Sequence, residues 1–317
     1  MTGGMIIGID AGQSGTRSIA VDGTGHTLSR GAAAGVQHLA IADSAERTAT
    51  SIADAYAAVA DDNEVPAAVG IGISGWSDDG SLTRQLVAGT NARCPAGRLV
   101  LASDSLTSFI GASGGRAGVV LAAGTGAVAL AADAKGRWAR SDGLGYLLGD
   151  RGSGYWIGRE GLAQAVGDCD RERATGLRTK AERRFGRLSL LLDNLQGDVH
   201  PVVRIAAFAR DVAALANAGD RAAARIYARA GRELGDSAVA AADQVFPAKQ
   251  AIRITLTGGL ASSSALLLPA VLARIERRRP GSTTRAVPHG PLSGALRLAQ
   301  DPAVAGWFPG GILERGA

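Results

Sequence analysis

The stretch Met5-Ile6-Ile7-Gly8-Ile9-Asp10-Ala11-Gly12-Gln13-Ser14-Gly15-Thr16 is a short apolar run that ends in an acid and leads into a turn rich in glycine and hydroxyl groups. A second apolar run, Ser18–Asp22, follows, and after the turn Gly23-Thr24-Gly25 comes a third strand-like piece, His26–Gly31. Apolar runs of strand length that alternate with glycine-rich turns are typical of β-hairpins. The sequence therefore predicts a meander of three strands in this part of the chain.

The same layout recurs 111 residues further along the chain. There the apolar run Gly118–Ala123 leads into the turn Gly124-Thr125-Gly126 and a second strand, Ala127–Ala132. At this offset the aligned pairs are Gly15 with Gly126, Asp22 with Asp133, and Gly25 with Gly136. Such repetition predicts two related lobes rather than a solenoid, whose repeats are shorter and more numerous. Chance is the alternative, since glycine and alanine are common in this chain.

Helical periodicity follows each meander, which predicts α/β lobes with mixed sheets. The predicted helices are Asp43–Ala60, Leu106–Ala112, Gly154–Val166, Val203–Asn217, Arg221–Gln244, Ser262–Arg274 and Leu292–Gln300, and further strands are predicted at Val69–Ile73, Leu99–Ala102 and Ala251–Leu256. We expect an N-terminal lobe of residues 1–115 and a C-terminal lobe of residues 116–317, with the last helix, 292–300, packed back on the N-terminal lobe. The polar, arginine-rich segment Asp168–Asp198 is predicted to be a mobile insertion or a surface excursion.

Composition argues against several classes of function. The chain of 317 residues is 46% hydrophobic and 20% charged, which is typical of a folded protein with one large domain or two smaller ones. Its net charge of +5 comes from scattered arginines without interleaved aromatic residues, so no nucleic-acid partner is predicted. Cys94 and Cys169 form no pair of the kind that binds zinc or an iron–sulfur cluster. Since neither a signal sequence nor an apolar run of about 18 residues is evident, we expect a cytoplasmic protein without a membrane partner.

Glycine turns are candidates for nucleotide binding. The turn Gly12–Thr16 presents consecutive backbone N–H groups together with the hydroxyls of Ser14 and Thr16, a combination that suits a polyphosphate. Gly124-Thr125-Gly126 repeats this feature, and Thr257-Gly258-Gly259 lies between a predicted strand and a helix, where glycine lets a nucleotide approach closely. The alternative for each is a turn that needs glycine only for its positive φ.

Each of three aspartates has a chemical and a structural interpretation. Asp10 ends the first strand beside a phosphate turn, where it would suit Mg²⁺ or would cap the turn. Asp104 is either a general base for an acceptor hydroxyl or, with Ser103, an N-cap of the following helix, and spacing alone favours the cap. Asp150 is either an acceptor of sugar hydroxyls or the N-cap of the helix that begins near Gly152.

In their order along the chain these motifs resemble the N-acetylglucosamine kinase family, which belongs to the superfamily of actin, sugar kinases and heat-shock chaperone ATPases. The matching residues are Asp10–Thr16, Ser103-Asp104, Gly124–Gly126, Gly149–Gly158 and Thr257–Gly259. The resemblance implies two ribonuclease-H-like lobes around an interlobe cleft that closes on ATP and Mg²⁺. It also implies transfer of the γ-phosphate to the 6-hydroxyl of an amino sugar, with a homodimer as a further expectation.

The resemblance assigns a role to each motif. Asp104 becomes the catalytic base and Asp10 the acid on the metal side. The turns Gly12–Thr16 and Gly124–Gly126 become the two phosphate turns, and the adenosine site falls on Gly258 and Gly259. The sugar contacts are Asp150, Ser103 and Gly149. This reverses the preference for a helix cap at Asp104.

Several positions depart from that family's pattern. Ala127 and Val128 stand where an asparagine is common, Leu144 stands where a tryptophan is common, and Arg151 stands where an acid is common. The segment Gly35-Val36-Gln37-His38 replaces a loop that carries an asparagine. These positions are on the sugar side, so the expectation of phosphoryl transfer is unchanged. Free glucosamine is then an alternative acceptor to N-acetylglucosamine.

Two other functions stay open. The same sequence class contains ATPase activators of 2-hydroxyacyl-CoA dehydratases, but those need cysteines for a cluster shared between subunits, and Cys94 and Cys169 lack a glycine-flanked context. A sugar-sensing regulator on the same scaffold is the non-enzymatic reading, because fold does not dictate function. Such regulators usually carry a helix-turn-helix before the first strand, and an acid at Asp104 favours catalysis.

Overall fold

The computed structural model describes residues 4–61, 64–76, 80–288, 290–308 and 311–316; the first three residues, which bear on the question of a targeting segment, lie outside these ranges. The chain forms two compact units. The first is drawn from Met1–Ala117, Ala132–Trp138 and Pro288–Ala317, and the second from Gly118–Ala131 and Ala139–Val287. The expected division after residue 115 is close to the observed one after residue 117, but residues 132–138 and 288–317 cluster with the first unit.

Each unit is built on one mixed β-sheet. The strands are β1 (Ile6–Gly12), β2 (Gly15–Val21), β3 (Thr27–Ala33), β4 (Ala68–Ile73), β5 (Arg98–Ser103), β6 (Gly118–Ala123), β7 (Ala127–Ala132), β8 (Trp138–Asp142), β9 (Arg253–Thr257), β10 (Thr283–Ala286) and β11 (Ile312–Gly316). They form a six-stranded sheet in the order β11-β5-β4-β1-β2-β3 and a five-stranded sheet in the order β10-β9-β6-β7-β8. In the first sheet β1, β4 and β5 run parallel, whereas β2, β3 and β11 are antiparallel to their neighbours.

The two sheets repeat one topology. The order β5-β4-β1-β2-β3 in the first unit corresponds strand for strand to β10-β9-β6-β7-β8 in the second, with β11 as an added edge strand. The turns at Asp22 and Asp133 repeat as well, because each aspartate N–H donates to the carbonyl four residues later, at 3.0 Å in both turns. Each carboxylate then accepts two backbone N–H groups of its own turn. The predicted repeat is therefore present in the fold.

Helices pack on these sheets. In the first unit they are α1 (Ser44–Ala57), α2 (Gly80–Arg93) and α3 (Asp104–Ser113), in the second unit α4 (Gly145–Leu148), α5 (Gly154–Asp170), α6 (Gly176–Phe185), α7 (Leu191–Gln196), α8 (Pro201–Ala207), α9 (Ala209–Asn217), α10 (Arg221–Val245) and α11 (Ser264–Glu276), and again in the first unit α12 (Pro291–Gln300) and α13 (Pro302–Ala305). Two 3₁₀ turns lie at Leu188–Leu190 and Gly259–Ser263. The prediction of α/β lobes with mixed sheets is confirmed.

Helix α12 lies in the first unit, against β1, β4 and α3. Its Gly294 is so close to α3 that an added Cβ would lie 1.7 Å from the carbonyl oxygen of Thr107. On the sheet side, Gly8 of β1 leaves room for Leu296, since a Cβ at Gly8 would lie 2.8 Å from the Leu296 backbone nitrogen. Helix α12 thus covers β1, which contains Asp10, and β4, which Ser74 follows.

The prediction for Asp168–Asp198 as a mobile insertion or surface excursion is wrong. The segment contains α6, a 3₁₀ turn and α7, and several of its apolar side chains belong to the core of the second unit. Leu177, Ala181 and Phe185 recur every four residues on α6 and are buried. The arginines between them hide this apolar face in the composition of the segment.

One stretch among the described residues, Gly259–Glu276, is long and apolar enough to cross a membrane, by length and composition only. Its Leu267, Val271 and Ile275 are spaced by four residues and are fully buried. They belong to the hydrophobic core of the second unit, which also contains residues of α10. This packing accounts for the buried stripe of α11, while 22% of the whole stretch is buried.

Candidate functional site

In the first unit, three parallel strands end side by side and bring three sequence motifs together. Ala11 of β1 is in register with Ile73 of β4, and Ile73 is in register with Ser103 of β5. The residues that follow these strand ends are the Gly12 turn, Ser74 and Asp104. In open α/β sheets, ligands bind at the carboxyl ends of the parallel strands.

The first glycine turn is a two-residue hairpin. Gly12 pairs with Gly15, and Gln13 and Ser14 form its exposed tip. The Gly12 carbonyl accepts a hydrogen bond from the Val36 N–H at 3.0 Å, so the loop after β3 supports the turn from one side. Gln13 and Ser14 are exposed, and Gly12 and Gly15 are half-buried.

Thr16 departs from its predicted place. Its side chain is fully buried, and its hydroxyl donates to the Ala34 carbonyl at 2.7 Å and lies 2.8 Å from the Ser51 hydroxyl. The expectation that this hydroxyl faces a phosphate is not met. In a strand, successive side chains point to opposite faces, and position 16 falls on the inward face.

Asp10 lies within β1, paired with Gly72 and Arg17, and is not a turn cap. Its carboxyl group is buried, and burial raises its pKa to about 7, with the negative charge of Asp104 adding to the rise and Arg17 opposing it. A buried carboxyl next to a second one favours a proton or a cation at this position.

Asp104 is the first residue of α3, and the helix-capping interpretation does not describe it. The N-cap is Ser103, whose side chain makes no capping hydrogen bond; its hydroxyl lies 2.8 Å from that of Ser105. Asp104 is half-exposed in a helix whose other side chains are almost all buried. Its Oδ2 accepts a hydrogen bond of 2.5 Å from the Ser74 hydroxyl, a contact that no sequence motif indicated.

In the second unit the glycine turn Gly124-Thr125-Gly126 and the proposed adenosine motif lie side by side. Strands β6 and β9 are parallel, with Ala122 in register with Thr257, so Gly124 and Gly258 follow neighbouring strand ends. Gly258 has φ of 92°, and an added Cβ would lie 2.5 Å from the Ala123 carbonyl oxygen, which only glycine allows. Gly258 and Gly259 are both exposed.

The start of α5 is hydrogen-bonded to the Gly124–Gly126 turn. The N–H of Gly154 donates to the Gly124 carbonyl at 2.7 Å, and the N–H of Tyr155 donates to the Thr125 carbonyl at 3.0 Å. The true N-cap of α5 is Ser153, whose hydroxyl accepts from the Trp156 N–H at 3.1 Å, so Asp150 is not the cap.

Asp150 instead faces the turn. Its Oδ1 accepts from the Ala127 N–H at 3.2 Å, and its Oδ2 would lie 2.8 Å from a Cβ placed on Gly126. The residue before Asp150 has to be glycine, because a Cβ at Gly149 would lie 2.4 Å from Oδ1 of Asp142. The segment that carries Asp150 is thus joined to the phosphate turn.

The first unit contains donors that suit magnesium. Among the described residues no group of three or more His, Cys, Asp or Glu side chains could hold a metal ion by itself. Mg²⁺ is commonly bound by one or two carboxylates together with substrate phosphates and water. Asp10, with Asp104 near enough to raise its pKa, fits such a cation.

Sequence comparison now identifies the family. A model of the BadF/BadG/BcrA/BcrD ATPase family matches residues 7–299, a span that includes both glycine turns and the three aspartates. This chain belongs to the BadF/BadG/BcrA/BcrD ATPase family. Among curated proteins, none matches the sequence.

Solved structures share the fold of this ATPase family member. A protein of Chromobacterium violaceum, provisionally assigned as an N-acetylglucosamine kinase, is 26% identical with a TM-score of 0.71, and the match covers 93% of this chain and 99% of that one. A protein of Porphyromonas gingivalis with the same provisional assignment is 17% identical with a TM-score of 0.72, covering 92% and 97%. A ROK family glucokinase from Streptomyces griseus, solved with glucose and AMPPNP, is 19% identical with a TM-score of 0.60, covering 94% and 99%. The predicted fold class and family resemblance are confirmed.

The cysteines of this ATPase family member bear on the activator alternative. Cys94 lies in the hydrophobic core of the first unit, and burial raises the pKa of its thiol to about 12. A cluster ligand has to be a thiolate that an iron atom can reach. Cys94 is buried in that core, where an iron atom cannot reach it, and Cys169 is a half-buried residue on α5.

Proposed function

We propose that this ATPase family member is an ATP-dependent kinase that phosphorylates the 6-hydroxyl of a hexosamine, either glucosamine or N-acetylglucosamine. The observation that carries the proposal is the half-exposed carboxylate of Asp104, which accepts a hydrogen bond from Ser74 at the carboxyl edge of the first sheet and lies close to Asp10. A carboxylate of this kind is suited to accept the proton of an acceptor hydroxyl.

The proposed chemistry is phosphoryl transfer. The sugar oxygen O6 forms a bond to the γ-phosphorus, the bond from that phosphorus to the bridging oxygen breaks, and ADP leaves with that electron pair. The proton of O6 passes to Asp104. Asp10 would hold Mg²⁺, which would supply positive charge to the phosphates. Most catalysis in this reaction class comes from positioning and charge neutralisation, which agrees with a site built largely from backbone turns.

The remaining site residues take roles in nucleotide and sugar binding. The backbone of Gly12, Gln13, Ser14 and Gly15 would contact phosphate, and so would that of Gly124, Thr125 and Gly126. Exposed Gly258 and Gly259 would contact adenosine. Asp150 is proposed to accept hydrogen bonds from the sugar. The Ser103 hydroxyl already contacts Ser105, and Gly149 lies against Asp142, so these two residues would contact the sugar through their backbone.

The test is a panel of free sugars with ATP and Mg²⁺. We expect ADP release that depends on glucosamine or N-acetylglucosamine, and a phosphomonoester at carbon 6 in the ³¹P and ¹³C spectra of the product. Asp104→Asn is the matched control, since it keeps the size of the side chain and removes the base. ADP release that no sugar stimulates, with no phosphosugar formed, would overturn the proposal.

The expected cellular location of the enzyme follows from its proposed substrates. A kinase that needs ATP and a free amino sugar is expected to act in the cytoplasm, with no nucleic-acid or membrane partner. Fractionation of cells that express the full chain checks this expectation.

A further inference from the structure

Ser74 is held between two elements of the site. It follows β4 directly, and its N–H donates to the Ala11 carbonyl of β1 at 2.9 Å. The carbonyl of the next residue, Gly75, accepts from the Leu39 N–H at 3.1 Å, which joins the same segment to the loop after β3. The backbone at Ser74 is therefore tied both to the strand that carries Asp10 and to the loop that supports the first phosphate turn.

The side chain of Ser74 reaches the next strand end. Its hydroxyl donates to Oδ2 of Asp104 at 2.5 Å, across the β4–β5 pair. A hydrogen bond to one carboxylate oxygen restricts rotation of the whole carboxyl group, which decides the direction in which the other oxygen points. Ser74 is half-buried, so this bond is partly shielded from competing water.

We propose that Ser74 is a positioning residue for the catalytic base, and that its hydroxyl orients the Asp104 carboxylate toward the acceptor. The inference rests on the proposed kinase function, because a base is needed only if an acceptor hydroxyl loses its proton. The competing explanation is a polar group that merely satisfies the end of a strand. The two differ in what removal of the hydroxyl does to turnover.

The first experiment compares three variants of the full chain. We expect Ser74→Ala to lower kcat about tenfold or more while the KM values for ATP and sugar stay within about twofold, since misdirected catalytic groups lose rate rather than binding. Ser74→Thr keeps the hydroxyl and should recover most of the rate. Ser29→Ala is the matched control: Ser29 is also half-buried in the first unit and donates one hydrogen bond, to the Val59 carbonyl at 3.1 Å.

The second experiment is a double-mutant cycle. If Ser74 acts through Asp104, Ser74→Ala added to Asp104→Asn should lower the residual rate no further. An equal loss in both backgrounds, a loss confined to KM, or wild-type kcat in Ser74→Ala would overturn the inference. Thermal unfolding of each variant detects a simple loss of folded protein. If Ser74→Ala is unfolded, the activity of Ser74→Thr tests whether the hydroxyl is needed.

Failure of the inference is distinct from failure of the proposed function. A wild-type protein without sugar-dependent phosphoryl transfer would remove the kinase proposal and the role of Ser74 together. A wild-type kinase whose Ser74→Ala variant is equally active would remove only the role of Ser74.

Discussion

Oδ1 of Asp142 accepts a hydrogen bond of 2.7 Å from the backbone N–H of Asp150, so one aspartate holds the main chain of the other. The same carboxylate accepts from the N–H groups of Gly143 and Arg151, at 2.8 and 3.0 Å, and its side chain is only 2% exposed. Asp142 thus joins both ends of the loop 143–151. Its oxygen atoms are already hydrogen-bonded within the protein, so Asp142 is not available to the ammonium group of a free amino sugar.

Asp142→Asn should reduce both stability and sugar binding. An asparagine would turn an amide N–H toward backbone donors and lose the charge opposite Arg151, so we expect the free energy of unfolding to fall by about 2–4 kcal/mol. The KM for sugar should rise because Asp150 loses its support. Urea unfolding and steady-state kinetics measure the two effects. Asp133→Asn, which disturbs an aspartate that also accepts two backbone N–H groups, should lower stability and leave the sugar KM unchanged.

Asp104→Asn should remove turnover and spare nucleotide binding. We expect kcat to fall by about 100-fold or more, the scale for loss of a general base, with the Kd for ATP within about threefold of wild type. Asp43→Asn is a fitting control, since Asp43 precedes α1 without a side-chain capping bond. Near-normal turnover in Asp104→Asn would mean that the residue is structural.

Asp10→Asn should stabilise the protein at alkaline pH. The folded pKa of about 7 exceeds the ordinary 3.8, so the folded state holds more protons than the unfolded state between these values, and stability falls as pH rises through that window. Above pH 7 the buried charge costs on the order of 2–4 kcal/mol, which asparagine avoids. Urea midpoints of both proteins in EDTA at pH 5 and pH 8 should therefore differ more at pH 8.

Asp22→Asn is the control, because the pKa of Asp22 is shifted in the opposite direction from that of Asp10. The hydrogen bond from Thr24 lowers the pKa of Asp22, and backbone hydrogen bonds from His26 and Thr24 act in the same direction. Its contribution to stability is present at neutral pH and is lost as pH falls through the folded pKa. Asp22→Asn should not stabilise the fold at pH 8. If Asp10→Asn is no more stable than wild type at pH 8, the buried-charge account of Asp10 is wrong.

The two glycines after β9 are expected to differ in role: Gly258 is needed by the fold, whereas Gly259 would face the ligand. Gly258→Ala should lower stability by about 2–3 kcal/mol, because its φ of 92° and its contact with the Ala123 carbonyl exclude a Cβ. A Cβ on Gly259 would meet only the Gly124 Cα, at 3.8 Å, so Gly259→Ala should unfold like wild type. Its Kd for ATP should nevertheless rise at least fivefold if adenosine approaches this backbone. Unchanged ATP affinity in Gly259→Ala would remove the adenosine site from this turn.

Much of the scaffold was readable from local sequence, and most of what was missed depends on tertiary packing. Glycine turns after apolar runs predicted the hairpins of both units, and acids at strand ends pointed to Asp10 and Asp104. Ser74 escaped notice because a single serine after a strand has no diagnostic spacing; only the parallel pairing of β4 and β5 places it beside Asp104. The burial of Thr16 likewise depends on Ser51, a residue of a distant helix.

The loop 143–151 bears on the proposed choice between acetylated and free amino sugars. Val128 packs against Gly143, where a Cβ would lie 2.9 Å from the valine Cγ2, so this position offers an apolar surface. Leu144 is 64% exposed at the start of the loop and has no polar group to offer an amide. Asp142 is committed to the loop backbone, so we assign the ammonium group to Asp150, whose Oδ1 also accepts the Ala127 N–H.

We therefore predict that kcat/KM for glucosamine is at least equal to that for N-acetylglucosamine under identical ATP and Mg²⁺. A site that recognises a substrate amide by hydrogen bonds rejects analogues strongly, because its own buried polar groups are otherwise left unpaired. Here apolar side chains take those places, which reduces the gain from the acetyl group. Asp150→Asn should lower kcat/KM more for glucosamine than for the acetylated sugar, since it removes the charge opposite the ammonium. A preference of wild type for N-acetylglucosamine of tenfold or more, about 1.4 kcal/mol in transition-state binding, would contradict this account and assign amide recognition to residues outside this loop.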